Sequence, residues 1–166
     1  MLSEKAKHFE NLYNDWFENK NENTKYIIDN YFDDIKFIFE CNTVDFHKYN
    51  KKVKIGAIIA FDQLPGKLAE LYEINNNAYK KIYSKLAAEI SSTFIYKNFE
   101  KNDDVNIREW YYILMPFVNI NDKQNIQISL DIIRLMYQNP YISRNDKDLC
   151  EKFISLCHTK IKTSNI

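Results

Sequence analysis

Apolar residues recur along the chain at helical rather than strand spacing. Ala6, Phe9, Tyr13 and Trp16 follow an i, i+3, i+7, i+10 pattern, which places them on one face of a first helix behind a candidate N-cap, Ser3. A second helix over about residues 24 to 40 carries Ile28, Phe32, Ile35 and Phe39 on one side and Ile27, Tyr31 and Ile38 on another. Such a helix is expected to be buried over a wide arc. After the polar connection "CNTVDFHKYN", the pattern predicts a third helix from about Lys51 to Gln63. Its interior, "IGAIIAF", is apolar all round and is therefore expected at the centre of the fold, as the most buried segment.

A short helical piece, about Pro65 to Glu73, precedes a long helix over about Asn77 to Phe99 with Tyr79, Ile82, Leu86 and Ile90 in register. Beyond the polar "EKNDDVN", Asn106 and Glu109 have the spacing of a capping box and mark the next helix start. Ile126, Leu130, Ile133 and Tyr137 define a helix over about 122 to 138, which Asn139-Pro140 ends. The last helix starts near Ser143, with Asp146 three residues on, and runs to about Lys162. The reading is an all-α fold of seven or eight antiparallel helices in a single domain, 1 to 166, arranged either as a globular bundle or as stacked helix pairs.

Composition supports helices: 2 Gly and 3 Pro leave little of the turn material that β and α/β folds use. Lys plus Arg and Asp plus Glu are both 23, so no long-range field gathers nucleic acid or an anionic membrane, and neither is expected as a partner. Only Arg108, Arg134 and Arg144 offer the planar fork that reads phosphate or guanine. The start "MLSEKAKHFENLY" lacks the basic opening and apolar segment of a signal peptide, and no stretch is apolar enough to span a membrane. A soluble, cytoplasmic protein is expected. Heavy use of Asn, Lys, Ile and Tyr suggests an AT-rich coding sequence, and in a viral setting the compartment is the host cytoplasm. Three cysteines, Cys41, Cys150 and Cys157, do not make a disulfide framework.

The chemistry-bearing candidates are few. Cys150 and Cys157 share an apolar helical stripe with Ile154 and Ile161, where a thiol behaves as a small hydrophobe, so Cys157-His158 is not read as a metal site. His8 and His47 have no spaced partners, and no glycine-rich phosphate loop exists. Neither metal nor cofactor is expected, and chelators should leave the melting temperature unchanged. The stretch that breaks local rules is "IIAFDQLPGKL". Asp62 shares a face with Ile58 and Ile59 and, in a last turn, opposes the helix dipole. Pro65 frees acceptors at this helix end, which the Gln63 amide is placed to meet. Asp62 either caps the short helix that follows or lines a ligand cleft.

Three segments, "NDWFENK", "IGAIIAFDQLPGKL" and "REWYYILMPFVNINDKQNIQISLDII", together resemble the bacterial family known as domain of unknown function 924. That family has a Phe-Trp-Phe motif, then Leu-Asp-Gln-Phe-Pro-Arg-Asn, then a Leu-Pro segment followed by His-Ser-Glu. Here Asp15-Trp16-Phe17, Asp62-Gln63-Leu64-Pro65 and Leu114-Met115-Pro116 match in order. The resemblance implies a tetratricopeptide-like superhelix of helix pairs and gives Asp62 and Gln63 a place in a cleft. Gly66-Lys67 stands where the family has Arg-Asn, and Asn119-Ile120-Asn121 where it has His-Ser-Glu, removing both a general base and an acid. Two functions follow as expectations. One is a non-catalytic binding protein whose groove, lined by Trp16, Asp62, Gln63, Lys67, Tyr112 and Asn119, takes a peptide or small polar molecule. The other is a small-molecule hydrolase or transferase with Asp62 as general base and Lys67 holding an anion.

Overall fold

The computed structural model describes residues 2–19, 25–31, 46–71, 77–95 and 104–164. Over these residues the chain is all-helical and has no strand. The order is α1 (Leu2–Tyr13), a π-helical turn (Asn14–Glu18), helical residues 25–31, a 3-10 turn (Phe46–Lys48), α2 (Lys51–Asp62), α3 (Leu64–Leu71), α4 (Asn77–Ile95), α5 (Ile107–Asn119), α6 (Lys123–Tyr137) and α7 (Arg144–Thr163). Phe32, Ile35, Ile38 and Phe39 of the expected second helix lie outside the described residues, as do Cys41 and the expected continuation of α4 to Phe99.

The segment that is apolar all round takes the central position. Asn50, in extended conformation, starts α2 by accepting the Val53 backbone N–H on its side chain at 3.0 Å. From Ile55 to Asp62 every residue of α2 is buried. The helix packs against α1, α3, α4 and α5, so few of its faces reach solvent. Each large side chain so covered contributes about 1.5–3 kcal/mol. The approach of α1 is possible because residue 56 is glycine: a Cβ there would stand 1.9 Å from the Phe9 carbonyl oxygen.

The cap signals hold where a side chain meets its own helix start. Asn106 and Glu109 form the capping box of α5, with Asn106 Oδ1 accepting the Glu109 N–H at 2.9 Å and Glu109 Oε2 accepting the Asn106 N–H at 2.8 Å. Ser143 caps α7 by accepting the Asp146 N–H at 3.1 Å. Glu109 is fully buried and also takes a hydrogen bond from the Tyr13 hydroxyl, while Lys51 Nζ stands 3.3 Å from it. One carboxylate thus joins α1, α2 and α5.

Periodicity placed some side chains on the wrong face. α1 already runs at Leu2, so Ser3 lies within the helix and does not occupy the cap position. Ile82 is 53% exposed; the buried stripe of α4 is Tyr83, Ala87, Ile90 and Phe94, with Ser84, Ala88 and Ser91 beside it. Tyr137 is likewise exposed and donates to Glu151 at 2.8 Å, whereas Ile126, Leu130 and Ile133 are buried as expected.

Burial also shifts titrations. Desolvation pushes the Cys157 thiol from 9.0 up to about 12. It also raises the Tyr13 phenol above 10.0, with Glu109 adding to the effect. Both folded values exceed the unfolded ones, so their stabilisation is complete below pH 9.0 and is lost as pH rises, when the unfolded chain releases protons the folded chain retains. Lys54, lowered by burial, contributes the opposite slope. The test is the denaturant midpoint across this alkaline range in wild type and Cys157→Ala, where the variant should lose stability less steeply with pH. Parallel profiles would count against a retained thiol proton.

Candidate functional site

Asp62 ends α2 and is only 2% exposed. A buried carboxylate is costly unless its acceptor positions are filled, and here they are. Oδ1 accepts from Ser84 Oγ of α4 at 2.9 Å and from Asn119 Nδ2 of α5 at 3.0 Å. Oδ2 accepts from Gln63 Nε2 at 2.6 Å and from the same Asn119 amide at 3.0 Å. Side chains on α4, on α5 and at the α2–α3 junction therefore converge on one charge. The capping alternative does not fit: Gln63, in helical conformation (φ −94°, ψ −41°), is the residue that stands before α3. Nor does the Gln63 amide go to backbone carbonyls as expected; it is spent on Asp62. Pro65 is the second residue of α3, where a missing N–H leaves no helical bond unmade.

A second cluster is built around Trp16. After Tyr13 the helix widens into the π-helical turn, closed by Asn19 N–H to Asn14 C=O at 2.8 Å, and this turn carries Trp16 into the core. Its indole is 3% exposed. Lys67 Nζ lies 5.4 Å from the ring centroid, and Tyr112 meets the ring edge-on with centroids 5.6 Å apart and planes at 90°. Phe17 packs on the same Tyr112 at 5.6 Å, and the Arg108 guanidinium lies 5.3 Å from the Phe17 ring centroid while donating to the Trp16 carbonyl at 3.3 Å. Among the described residues the Trp16 indole N–H has no hydrogen-bond acceptor.

The clusters share their supports. The Lys67 backbone N–H bonds to the Gln63 carbonyl at 3.1 Å, one turn of α3 apart. Tyr112 and Asn119 are seven residues apart on α5 and so share a face, about 10 Å along the axis. Between them Pro116 denies the Tyr112 carbonyl its usual N–H donor. The six expected groove residues fall into two groups, Asp62, Gln63 and Asn119 in one and Trp16, Lys67 and Tyr112 in the other. Ser84, Phe17 and Arg108 belong with them and were missed. The signal for Ser84 was a hydroxyl in mid-helix among apolar neighbours; for Arg108 it was scarcity, as one of three arginines.

Elsewhere the chemistry is sparse. Asn121 adopts a left-handed backbone (φ 57°) that closes α5, a conformation Asn tolerates. His8 and His47 are exposed, and exposed His158 lies 3.3 Å from Arg134 Nη2. Cys150 and Cys157 are fully buried in the apolar face of α7, together with Phe153. Among the described residues, no group of three His, Cys, Asp or Glu side chains is placed to hold a metal, and no helix is long and apolar enough to cross a membrane. Comparison with protein-family models, with curated proteins and with solved structures yields no match.

Proposed function

We propose that the chain is a non-catalytic binding protein that takes a small polar ligand at Trp16, between Lys67 and Tyr112. The observation that carries this reading is the Trp16 indole N–H, buried without an acceptor among the described residues. Leaving such a donor unmade costs about 1–3 kcal/mol, and residues that break packing rules concentrate where a ligand completes them. The π-helical turn that delivers Trp16 points the same way, since such turns recur at functional sites. On this reading the Asp62 lock is the rigid support that fixes α3 and α5, and hence Lys67 and Tyr112, against each other. The helix-pair superhelix and the kinship with domain of unknown function 924 remain part of the proposal, resting on the matched motifs.

The hydrolase or transferase alternative is less well supported. A general base needs a lone pair directed at substrate, and those of Asp62 are engaged by Gln63, Ser84 and Asn119. The test is native mass spectrometry of the purified chain for co-purifying small molecules, followed by thermal-shift screening of wild type and Trp16→Phe. The phenyl ring keeps much of the packing and removes the unmet donor, so the variant should fold while losing the ligand response. Ligands that stabilise both proteins equally would place the site elsewhere.

A further inference from the structure

We propose that Lys54 is a carbonyl-capture site, where a small aldehyde condenses with the side-chain amine to an imine. Three lysines open α2, and their partners differ. Lys51 Nζ stands 3.3 Å from Glu109 and 3.6 Å from Asp104, and Lys52 Nζ stands 2.6 Å from Glu18. A carboxylate so close holds the proton on an ammonium and withholds the lone pair. Lys54 forms no such ion pair among the described residues. Its Nζ donates to the Thr93 hydroxyl at 3.4 Å and lies 4.2 Å from the centroid of the Phe94 ring, both in the last turn of α4. Phe94 is buried, whereas Lys54 and Thr93 keep part of their surface in solvent. The amine is thus sheltered on its ring side without being sealed off.

This setting favours the neutral, nucleophilic amine. Burial lowers the Lys54 pKa from its ordinary 10.5, and Asp104, ahead of α5, opposes that shift without cancelling it. Asp104 is itself engaged by Lys51, and among the described residues α1 and α3 add no charge that acts on Lys54. The neutral Nζ adds to the aldehyde carbon, forming a C–N bond while the carbonyl π pair moves to oxygen. The carbinolamine then loses that oxygen, together with both amine hydrogens, as water and leaves C=N; no oxidant or reductant enters. The Thr93 hydroxyl, within hydrogen-bond reach of Nζ, is placed to donate to the departing oxygen. The ring distinguishes this chemistry from acylation. Once protonated by solvent, an imine keeps a positive charge over Phe94, whereas an amide would end the cation–π contact. The site shares no residue with the Trp16 group.

The full chain is treated at neutral pH with butanal and sodium cyanoborohydride, which reduces each imine to a stable secondary amine, and early adducts are located by proteolysis and mass spectrometry. Lys54 should be labelled about fivefold or more faster than Lys51, Lys52 and the exposed Lys152. Its rate should level off at a lower pH than that of Lys152, and its advantage should vanish in denaturant. Thr93→Glu, at a partly exposed position, sets a carboxylate beside the amine and should bring Lys54 down to the rate of Lys51. Lys54→Arg should remove the fast adduct from the intact-mass profile. Native Lys54 labelled no faster than Lys152 overturns the proposal. So does a fast Lys54 adduct that survives denaturation, or one that a folded Thr93→Glu protein retains in full.

Discussion

Gly56→Ala is expected to destabilise the protein by about 3 kcal/mol, the upper end of what overpacking a tight core produces. The added Cβ would lie 1.9 Å from the Phe9 carbonyl oxygen, 2.6 Å from its carbonyl carbon and 3.2 Å from its Cα. All three are backbone atoms, so no rotamer change relieves the clash; α1 must move off α2. Loss of that contact loosens Phe9, Leu12 and Tyr13 together, since all three are buried core residues of α1. Alanine's better helix propensity returns at most about 1 kcal/mol, too little to reverse the sign. Gly66→Ala is the control, because a Cβ there meets nothing within 4 Å and its backbone is not left-handed. That variant should gain up to about 1 kcal/mol. Denaturant unfolding reads both, and a Gly56→Ala protein as stable as wild type would show that α1 does not approach α2 so closely.

The same glycine shows what a sequence conceals. Hydrophobic periodicity weighs large residues, so it chose Tyr79, Ile82, Leu86 and Ile90 as the inward phase of α4; Ile90 is buried and Leu86 packs on the core, but Ile82 is exposed. The buried phase is instead rich in Ala87, Ala88, Ser84 and Ser91, small residues that let α4 lie close to α2. Where helices touch through small residues, bulk is a poor guide to the inner face, and Gly56 is the extreme case. The π-helical turn is concealed for another reason: one widened turn alters the phase of everything after it, and no residue type announces it. Trp16 was correctly placed inside, but not by the continuous helix that the spacing implied. What could be read was local or one-dimensional. A cap is decided within four residues, so Asn106 with Glu109 and Ser143 with Asp146 were legible. An apolar helix has nowhere to sit but the centre, which fixed α2. Asp62 stood out as a charge on an apolar face, and Asn119, 57 residues away, was joined to it only through the family resemblance; Ser84, 22 residues away, was not, because their convergence is a product of packing.

Asp62→Ala is expected to be among the most damaging substitutions available, at about 1–3 kcal/mol for each buried donor it leaves without an acceptor. It strips a filled acceptor from the junction of α2, α4 and α5 and strands the Ser84 hydroxyl and the Asn119 amide, of which the former is 1% exposed. Asp62→Asn is the more informative change. It preserves shape but exchanges one oxygen for an NH2 group, which must then face Gln63 Nε2 or Asn119 Nδ2, donors that sit 2.6 and 3.0 Å from the present oxygens. Donor against donor should cost about 1–3 kcal/mol. Asparagine would be harmless at a helix cap, so this loss separates the lock from a cap. Asn119→Asp should also destabilise, since it sets a second carboxylate against the first. Combining the two restores one charge and one amide across the same gap. The double variant should therefore be more stable than the two single losses added together imply, by about 0.5–3 kcal/mol of coupling. Strict additivity in that cycle, or a silent Asp62→Asn, would mean that the Asp62–Asn119 contact does not hold α2 to α5, and the rigid support assigned to Lys67 and Tyr112 would go with it.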